Sequence, residues 1–186
     1  KLNKNTNSFV FEGEVVLITG AASGIGKACV ESFLSRGSAV IGLDIDSSIN
    51  EISNDKNYLG VVCDLTNEIE LKESIELAVR YFGGIDMAVL NAGIFPPAQK
   101  VSELPLKEWK SIFSINLDAN FNLLRSIYPI LKLAPNSGRV VFIGSKNVPA
   151  PGPGAAAYSA SKAALNQLMR VLSMEWGAEG IRLNTL

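Results

Sequence analysis

Residues 14–26 read EVVLITGAASGIG, an apolar run that leads directly into a turn with three glycines. The run at 14–19, EVVLIT, is short and rich in β-branched residues, which is typical of a strand that is buried on both faces. Helical spacing follows over residues 24–36, where one side collects the apolar residues Ile25, Cys29, Phe33 and Leu34. The stretch therefore predicts a strand, a glycine turn and a helix, which is the opening unit of an α/β fold.

The same alternation continues along the chain. Strand-like apolar segments recur at 38–43, 58–63, 86–90 and 139–143. Helical patterns lie between them at 67–82, 105–133, which is long enough for two helices, and 155–177, after a loop rich in proline and glycine at 144–157. Strands that alternate with long helices predict crossover connections. We therefore expect a Rossmann-type domain, a doubly wound parallel sheet with helices on both faces in three α/β/α layers.

The composition excludes several classes of function. The chain has 186 residues, of which 47% are hydrophobic, so it is one domain in length and has enough apolar material for a core. With 17 Lys and Arg against 18 Asp and Glu it lacks the basic field of a nucleic-acid binder. It contains no histidine, which excludes Ser-His-Asp triads, Cys-His pairs and His-ligated metals, so we expect no metal site.

Cysteine use and the chain ends bear on location. The two cysteines, Cys29 and Cys63, are too few for a disulfide framework, which predicts reduced thiols in a cytoplasmic protein. The segment Lys1–Ser8 is polar and has no signal-peptide core, and no apolar run approaches the roughly 18 residues of a membrane span. The chain starts without Met and stops at Leu186 inside a strand-like stretch, so we expect it to be part of a longer polypeptide.

The glycine turn is a candidate phosphate site. Glycines can take positive φ and let a pyrophosphate approach the backbone, and the following helix directs its N–H groups at the phosphates. A tight turn without a ligand is the alternative interpretation. The position between the first strand and the first helix favours a nucleotide, and the candidate residues are Gly20, Ser23, Gly24, Ile25 and Gly26.

Asp44 closes the second predicted strand, 18 residues after Gly26. A carboxylate at that place can accept hydrogen bonds from ribose hydroxyls and repels a 2′-phosphate, although it can also cap a turn. Neither Ser23 nor Ile45, which we place with Asp44 beside the nucleotide, supplies a cation for a 2′-phosphate. The sequence therefore favours NAD over NADP.

Tyr158 and Lys162 are candidates for proton transfer. They are four residues apart in a predicted helix and so share one face. An ammonium beside a phenol favours the phenolate, so Lys162 can make Tyr158 a general acid/base, whereas an exposed surface pair is the alternative. Ser145 follows a predicted strand, at the edge where open α/β sheets bind ligands. Its hydroxyl can bind a substrate oxygen or cap a loop turn.

These motifs resemble, in the same order, those of the short-chain dehydrogenase/reductase family, from about Phe11 to Leu186. TGAASGIG resembles the family's cofactor loop. The other matching motifs are Asp64 in CDLT, Asn91-Ala92-Gly93 in LNAGIF, Asn116 in INLDAN, Ser145 in IGSK and Tyr158-Ser-Ala-Ser-Lys162. The resemblance implies an NAD-dependent enzyme that interconverts an alcohol and a carbonyl on a small-molecule substrate.

The resemblance also implies individual roles. Asp64 contacts the adenine, with Cys63 and Leu65 as further cofactor-binding residues. The segment 91–93 lines the adenosine side, although Asn91 can instead bridge two strands. Ser145 positions the substrate. Tyr158 and Lys162 are also cofactor-binding residues, and Lys162 binds the nicotinamide ribose. Asn116 holds a water that links Lys162 to solvent, and its other interpretations are an exposed asparagine or a helix junction.

The chain departs from the family at two places. It ends before the family's substrate loop and last strand, so we expect residues 1–186 to form one NAD-binding domain that is truncated at its C-terminal end. The segment KNVPAPGPGAAAYSASK after Ser145 is similar to the dehydrogenase half of bifunctional proteins that join a class II aldolase to a short-chain dehydrogenase. Those proteins are linked to rhamnulose-phosphate breakdown and lactaldehyde oxidation, which implies a carbohydrate-derived substrate and a fused aldolase domain.

Other interpretations stay open. A nucleotide-binding sensor or scaffold shares the fold without the chemistry, and a ketoacyl carrier-protein reductase would favour NADP. Lys146 either points into solvent or attracts an anionic substrate group at the cleft mouth. By resemblance, helices at 117–133 and 155–177 form the interface of a homodimer or homotetramer.

Overall fold

A computed structural model of the chain describes residues 10–186. The polar segment Lys1–Ser8, in which the sequence shows no signal peptide, lies outside the described residues. Six parallel strands form one sheet in the order β3-β2-β1-β4-β5-β6. The strands are β1 (Val15–Thr19), β2 (Ala39–Asp44), β3 (Tyr58–Val62), β4 (Met87–Leu90), β5 (Arg139–Phe142) and β6 (Arg182–Thr185). The prediction of a Rossmann-type parallel sheet is confirmed, and the five strands predicted with bounds lie within one residue of them.

The strand order reverses direction at β1. This strand pairs with β2 on one side and with β4 on the other, so the loops that leave β1 and β4 diverge to opposite sides. A crevice opens at such a switch point, beyond the carboxyl ends of the strands. The fold therefore places the glycine turn after β1 and the segment after β4 at one crevice.

Five α-helices connect the strands. They are α1 (Gly24–Leu34), α2 (Glu68–Phe82), α3 (Leu106–Phe113), α4 (Ala119–Leu131) and α5 (Ala156–Gly177). The pattern at 105–133 does contain two helices, but a π-helical turn, Ser114–Asp118, joins α3 to α4 without a loop. A short 3₁₀ helix, Ser47–Glu51, follows β2. None of these helices, within the residues described, combines the length and apolar character that crossing a membrane requires.

Each face of the sheet has its own apolar core. The larger core packs the sheet against α2, α4 and α5, and the smaller one packs it against α1. Ile25, which the helical spacing places on one side of α1 with Cys29, Phe33 and Leu34, is 59% exposed, while Gly26 and Val30 are buried. Ile25 lies in the first turn of α1, which projects past the carboxyl ends of the strands. Its side chain therefore faces the crevice instead of the sheet.

Candidate active site

A cleft of about 430 Å³ lies at the carboxyl edge of the sheet. Twelve of the predicted cofactor residues line it, namely Gly20, Ser23, Gly24, Ile25, Asp44, Ile45, Cys63, Asp64, Leu65, Asn91, Ala92 and Gly93. Leu43, Thr66, Ile94 and Ile115 also line it, and sequence reasoning missed them. The volume lies within the range of small-molecule and cofactor sites. The fold thus gathers segments that are distant in sequence around one cavity, while their cofactor-binding roles stay predictions.

The glycine turn holds α1 close to β1. Gly24 adopts φ +52°, and nothing lies within 4 Å of where its Cβ would be, so this backbone is open to the cleft. A Cβ at Gly26 would overlap the carbonyl oxygen of Gly20. Gly26 therefore does not line the cleft. It allows the close approach of helix and strand, as the third glycine of a dinucleotide-binding turn does.

The N-terminus of α1 has no side-chain cap. Ser23 precedes the helix with extended backbone angles, and its side chain makes no capping hydrogen bond. Backbone N–H groups in the first turn of a helix have no partners within the helix, and the positive end of the helix dipole lies there. The first turn of α1 therefore presents donors to the cleft, which fits the pyrophosphate of a dinucleotide.

Asp44 ties the glycine turn to the end of β2. Its Oδ2 accepts a hydrogen bond from the Ala22 N–H at 2.9 Å, and its Oδ1 accepts one from the Asp46 N–H at 3.0 Å. The capping role that the sequence left open is therefore present. The carboxylate is only half-buried and still lines the cleft, so it also places a negative charge there.

Asn91 bridges β4 and β1. Its Nδ2 donates to the carbonyl oxygens of Thr19 and Gly20, both at 3.0 Å. The hydroxyl oxygen of Thr19 in turn accepts from the N–H groups of Asn91 and Ala92, also at 3.0 Å. The bridging interpretation of Asn91 is thus realised. It fixes the two loops that border the cleft.

Tyr158 and Lys162 lie one turn apart on α5. Lys162 is 5% exposed, so the interpretation as an exposed surface pair is wrong. The Lys162 Nζ donates to the carbonyl oxygen of Ile143 at 2.8 Å and lies 6.0 Å from the ring centroid of Tyr158. Burial lowers the pKa of the Lys162 ammonium below its ordinary value of 10.5, because it removes water from the charged form.

Ser145 lies just beyond β5, two residues after Ile143. It is half-buried, and its Oγ accepts a hydrogen bond from the Asn147 N–H at 3.1 Å. The loop-capping role is therefore present, and the hydroxyl proton is still free to be donated. Since Lys162 binds the Ile143 carbonyl, the end of β5 holds the serine and the lysine in one neighbourhood.

Asn116 is fully buried in the π-helical turn. Its Oδ1 accepts from the Ile94 N–H at 2.8 Å, and its Nδ2 donates to the Ile94 carbonyl at 3.1 Å and to the Ser161 Oγ at 3.1 Å. The interpretation as an exposed asparagine is wrong, and the one as a helix junction is confirmed. The water-holding role implied by the resemblance stays a prediction.

Sequence reasoning missed two residues around Tyr158. The buried hydroxyl of Ser161 donates to the Tyr158 carbonyl oxygen at 2.8 Å. The ring of Phe95 packs edge-to-face on the Tyr158 ring, with centroids 4.5 Å apart and planes at 74°. A serine inside a helix is a signal, because serine is a poor helix former that bonds local backbone. The Phe95 contact spans 63 residues and leaves no local pattern.

Residues 14–186 match the profile of the short chain dehydrogenases. The chain is 34% identical to the short chain dehydrogenase adrF of Penicillium roqueforti, over 92% of this chain and 67% of that protein. It is also 34% identical to the uncharacterized oxidoreductase YuxG of Bacillus subtilis, over 95% of this chain but only 27% of that protein.

Solved structures of similar fold carry nicotinamide cofactors. The NADH complex of 3-ketoacyl-(acyl-carrier-protein) reductase from Brucella melitensis superposes with a TM-score of 0.91 at 26% identity, over 94% of this chain and 75% of that one. NAD⁺-bound xylitol dehydrogenase gives a TM-score of 0.88 at 28% identity, over 94% and 69%. With nearly the whole chain matched by the family profile, the chain belongs to the short-chain dehydrogenase family of oxidoreductases.

Proposed function

We propose that the chain is the NAD-binding part of an enzyme that interconverts an alcohol and a carbonyl, with Ser145, Tyr158, Lys162 and Asn116 as its proton-transfer set. The observation that carries the proposal is the buried Lys162, one helical turn from Tyr158, bonded to the end of the strand that leads to Ser145. Burying an ammonium costs free energy, and groups buried at such a cost cluster at functional sites. The NADH and NAD⁺ held by the two similar structures support the choice of cofactor.

The residues of the cleft fit NAD in chemistry. The uncapped first turn of α1 would hold the pyrophosphate, and the Asp44 carboxylate would accept hydrogen bonds from the adenosine ribose. Asp64 and its neighbours Cys63 and Leu65 would border the adenine. When bound, the nicotinamide supplies hydride acceptance and donation at the carbon that bears the oxygen.

Tyr158 carries out the proton transfer in this proposal. Its phenolate oxygen takes the hydroxyl proton of an alcohol, and its hydroxyl returns a proton to the oxygen of a carbonyl in the reverse direction. The Lys162 Nζ lies 6.0 Å from the centroid of the Tyr158 ring, on the same helix. The Ser145 hydroxyl donates a hydrogen bond that holds the substrate oxygen.

Calorimetry with NAD and NADP tests the cofactor assignment. NAD should bind at least tenfold more tightly, a difference of about 1.4 kcal/mol, because Asp44 repels a 2′-phosphate. Asp44→Asn keeps the size of the side chain and should narrow the gap. Asp46→Asn is the matched control, because Asp46 is exposed and does not line the cleft. Its side chain only accepts a hydrogen bond from the Ser48 N–H. Equal affinities of the native chain for NAD and NADP would contradict the assignment.

We further propose a small carbohydrate-derived hydroxy or carbonyl compound as the substrate. The similarity to xylitol dehydrogenase supports a polyol-like compound. We propose the fused aldolase domain from the resemblance of the segment after Ser145, and the match to YuxG covers 27% of that protein. The competing candidate is a ketoacyl carrier-protein reductase, which the Brucella structure favours, and that structure holds NADH. Cofactor preference therefore does not separate the two, but turnover of polyols against acyl thioesters does.

A homodimer or homotetramer built on α4 and α5 completes the proposal. Apolar side chains remain exposed on these helices, with Phe121 at 43%, Val171 at 37% and Met174 at 74%. Contiguous exposed apolar surface is typical of interfaces. Light scattering that finds a monomer at high concentration would contradict the assembly.

Tight NAD binding without turnover of any substrate would favour the sensor or scaffold interpretation.

A further inference from the structure

We propose that Phe95 determines substrate specificity: its ring is an apolar wall beside Tyr158 that contacts the carbon chain of the substrate next to the carbinol carbon. The inference rests on the proposed function, because it takes Tyr158 as the residue that meets the substrate oxygen. It adds the class of substituent that the site accepts on one side of the carbinol carbon, namely a hydrocarbon group, while the other side can carry the hydroxyls of a polyol-like compound.

Phe95 is both exposed and engaged with Tyr158. The edge-to-face packing brings the ring centroids to 4.5 Å, and such pairs are favourable beyond the area they bury. Phe95 nevertheless stays 63% exposed, so most of its ring is uncovered directly beside the tyrosine. A group that binds at the Tyr158 hydroxyl therefore meets an aromatic surface as its neighbour.

The backbone around Phe95 is fixed from two directions. Before it, both polar backbone groups of Ile94 are bound by Asn116. After it come Pro96 and Pro97, whose rings restrict φ. Further on, the Gln99 N–H donates to the Gly154 carbonyl oxygen at 2.9 Å, which ties this loop to the one that precedes α5. The aromatic wall is therefore held in place before any substrate arrives, which limits the ordering cost of binding.

The space behind Phe95 is closed. The small cavity between the two loops measures about 10 Å³, which is at most the room of one water. Its lining contains no charged side chain and consists of Phe95, Pro96, Pro97, Gln99, Leu104, Ile112, Gly154, Ala155, Ala157 and Tyr158. A substrate therefore contacts only the outer surface of the ring, and an apolar surface without charges selects hydrocarbon.

The test compares 2-propanol, 2-butanol and 2-pentanol, which differ by one methylene each. In the native protein kcat/KM with NAD should rise about fourfold per methylene, or about 15-fold across the series. In Phe95→Ala the rise should fall below about threefold, and Phe95→Leu should keep most of it, since leucine retains apolar area. The same fold-changes per methylene should appear in the dissociation constants of the alcohols, measured by NMR on the NADH complex, where an alcohol cannot be oxidised.

Tyr81→Ala is the matched control. Tyr81 is 56% exposed and makes an edge contact with Phe82 at 4.7 Å, but it lies at the end of α2, away from the cleft lining. This variant should keep the native ratio between 2-pentanol and 2-propanol. The ratio is used because a general loss of activity affects both alcohols equally.

The outcomes separate the two proposals. A Phe95→Ala protein that loses activity equally on all three alcohols, with the native ratio, overturns the specificity role and leaves only a structural one. A native protein that oxidises the series without preference overturns it as well, while the proposed function stands. A native protein that neither binds NAD nor turns over any alcohol or carbonyl refutes the proposed function, and the Phe95 inference with it.

Discussion

Asn116 binds both backbone polar groups of Ile94, accepting from the N–H at 2.8 Å and donating to the carbonyl oxygen at 3.1 Å. The same amide donates to Ser161, whose hydroxyl donates to the Tyr158 carbonyl oxygen. One buried asparagine thus connects the loop after β4 to Ser161 in the second turn of α5. Phe95, next to Ile94, packs on the Tyr158 ring, so the same two segments are joined by a second contact.

Replacing Asn116 by leucine should destabilise the fold strongly. The variant keeps the volume but removes three hydrogen bonds, and it leaves the Ile94 backbone groups without these partners. We expect the free energy of unfolding, measured with urea, to fall by about 2–4 kcal/mol. Asn122→Leu is the control, because the Asn122 side chain makes one hydrogen bond, to Glu68 at 3.3 Å on the surface. This variant should change the free energy of unfolding by under about 0.5 kcal/mol. Equal losses in the two variants would show that the Ile94 contact contributes little.

Removing the Tyr158 hydroxyl should separate catalysis from cofactor binding. Tyr158→Phe keeps the ring and its contact with Phe95 but has no proton to exchange, so kcat should fall by about 100-fold or more. The dissociation constant for NAD should change by less than about twofold, because the phenol exchanges a proton and does not hold the dinucleotide. Lys162→Ala should lower kcat and also weaken NAD binding, because the resemblance gives this lysine a contact with the nicotinamide ribose. Substantial turnover by Tyr158→Phe would mean that another group transfers the proton.

Lys146 offers a test of substrate charge. Its side chain is exposed, in the loop directly after Ser145. If this cation attracts an anionic substrate group, Lys146→Ala should raise KM for carboxylate or phosphate substrates by about fivefold and spare neutral analogues. The difference should shrink in high salt, which screens exposed charges. Equal effects on charged and neutral substrates would leave Lys146 as a residue of the loop only.

Tyr58 should make the free energy of unfolding fall at alkaline pH. Its hydroxyl donates to the Ile49 carbonyl oxygen at 2.7 Å. Burial, with the negative charge of Asp44 as a second cause, raises the pKa of Tyr58 from 10.0 to about 12. Between these values the folded state keeps a proton that the unfolded state has lost. The free energy of unfolding should therefore fall as pH rises from 10.0 to about 12.

Tyr58→Phe isolates that contribution. This variant should lose about 1 kcal/mol of stability at neutral pH, where the hydrogen bond is intact in the native protein. The deficit should shrink as the pH rises, because phenylalanine has no proton to release. Denaturant titrations at a series of pH values measure the difference, and a deficit that stays constant would exclude the buried hydroxyl as its source.

Much of the fold was predictable because parallel strands and their crossover helices leave local patterns. Apolar runs marked the first five strands, and the glycine turn with Asp44 marked the cleft. The exposure of Ile25 could not be read from helical spacing, which does not show where a helix projects past its sheet. The π-helical turn was also not predicted, since nothing in the spacing of residues 114–118 separates it from an α-helix.

The surroundings of Tyr158 could be predicted only in part. The motif indicated Lys162 as its neighbour, but the lysine bonds the Ile143 carbonyl, a contact that depends on how α5 packs on β5. The Phe95 ring packs on Tyr158 from a loop that Asn116 binds at Ile94. Such contacts arise from tertiary packing between distant segments, which residue spacing does not encode.

The missing side-chain cap at Ser23 affects local opening of α1 in the protein without cofactor. Amide hydrogens in the first turn of α1 have no acceptor within the helix, so they exchange with solvent as soon as that turn frays. A pyrophosphate bound at this place takes over the role of the absent cap. Deuterium uptake at residues 24–26 should therefore fall as the dinucleotide fills the site. Cleavage of α1 by a protease that attacks locally unfolded helices should also become slower when the dinucleotide is in excess.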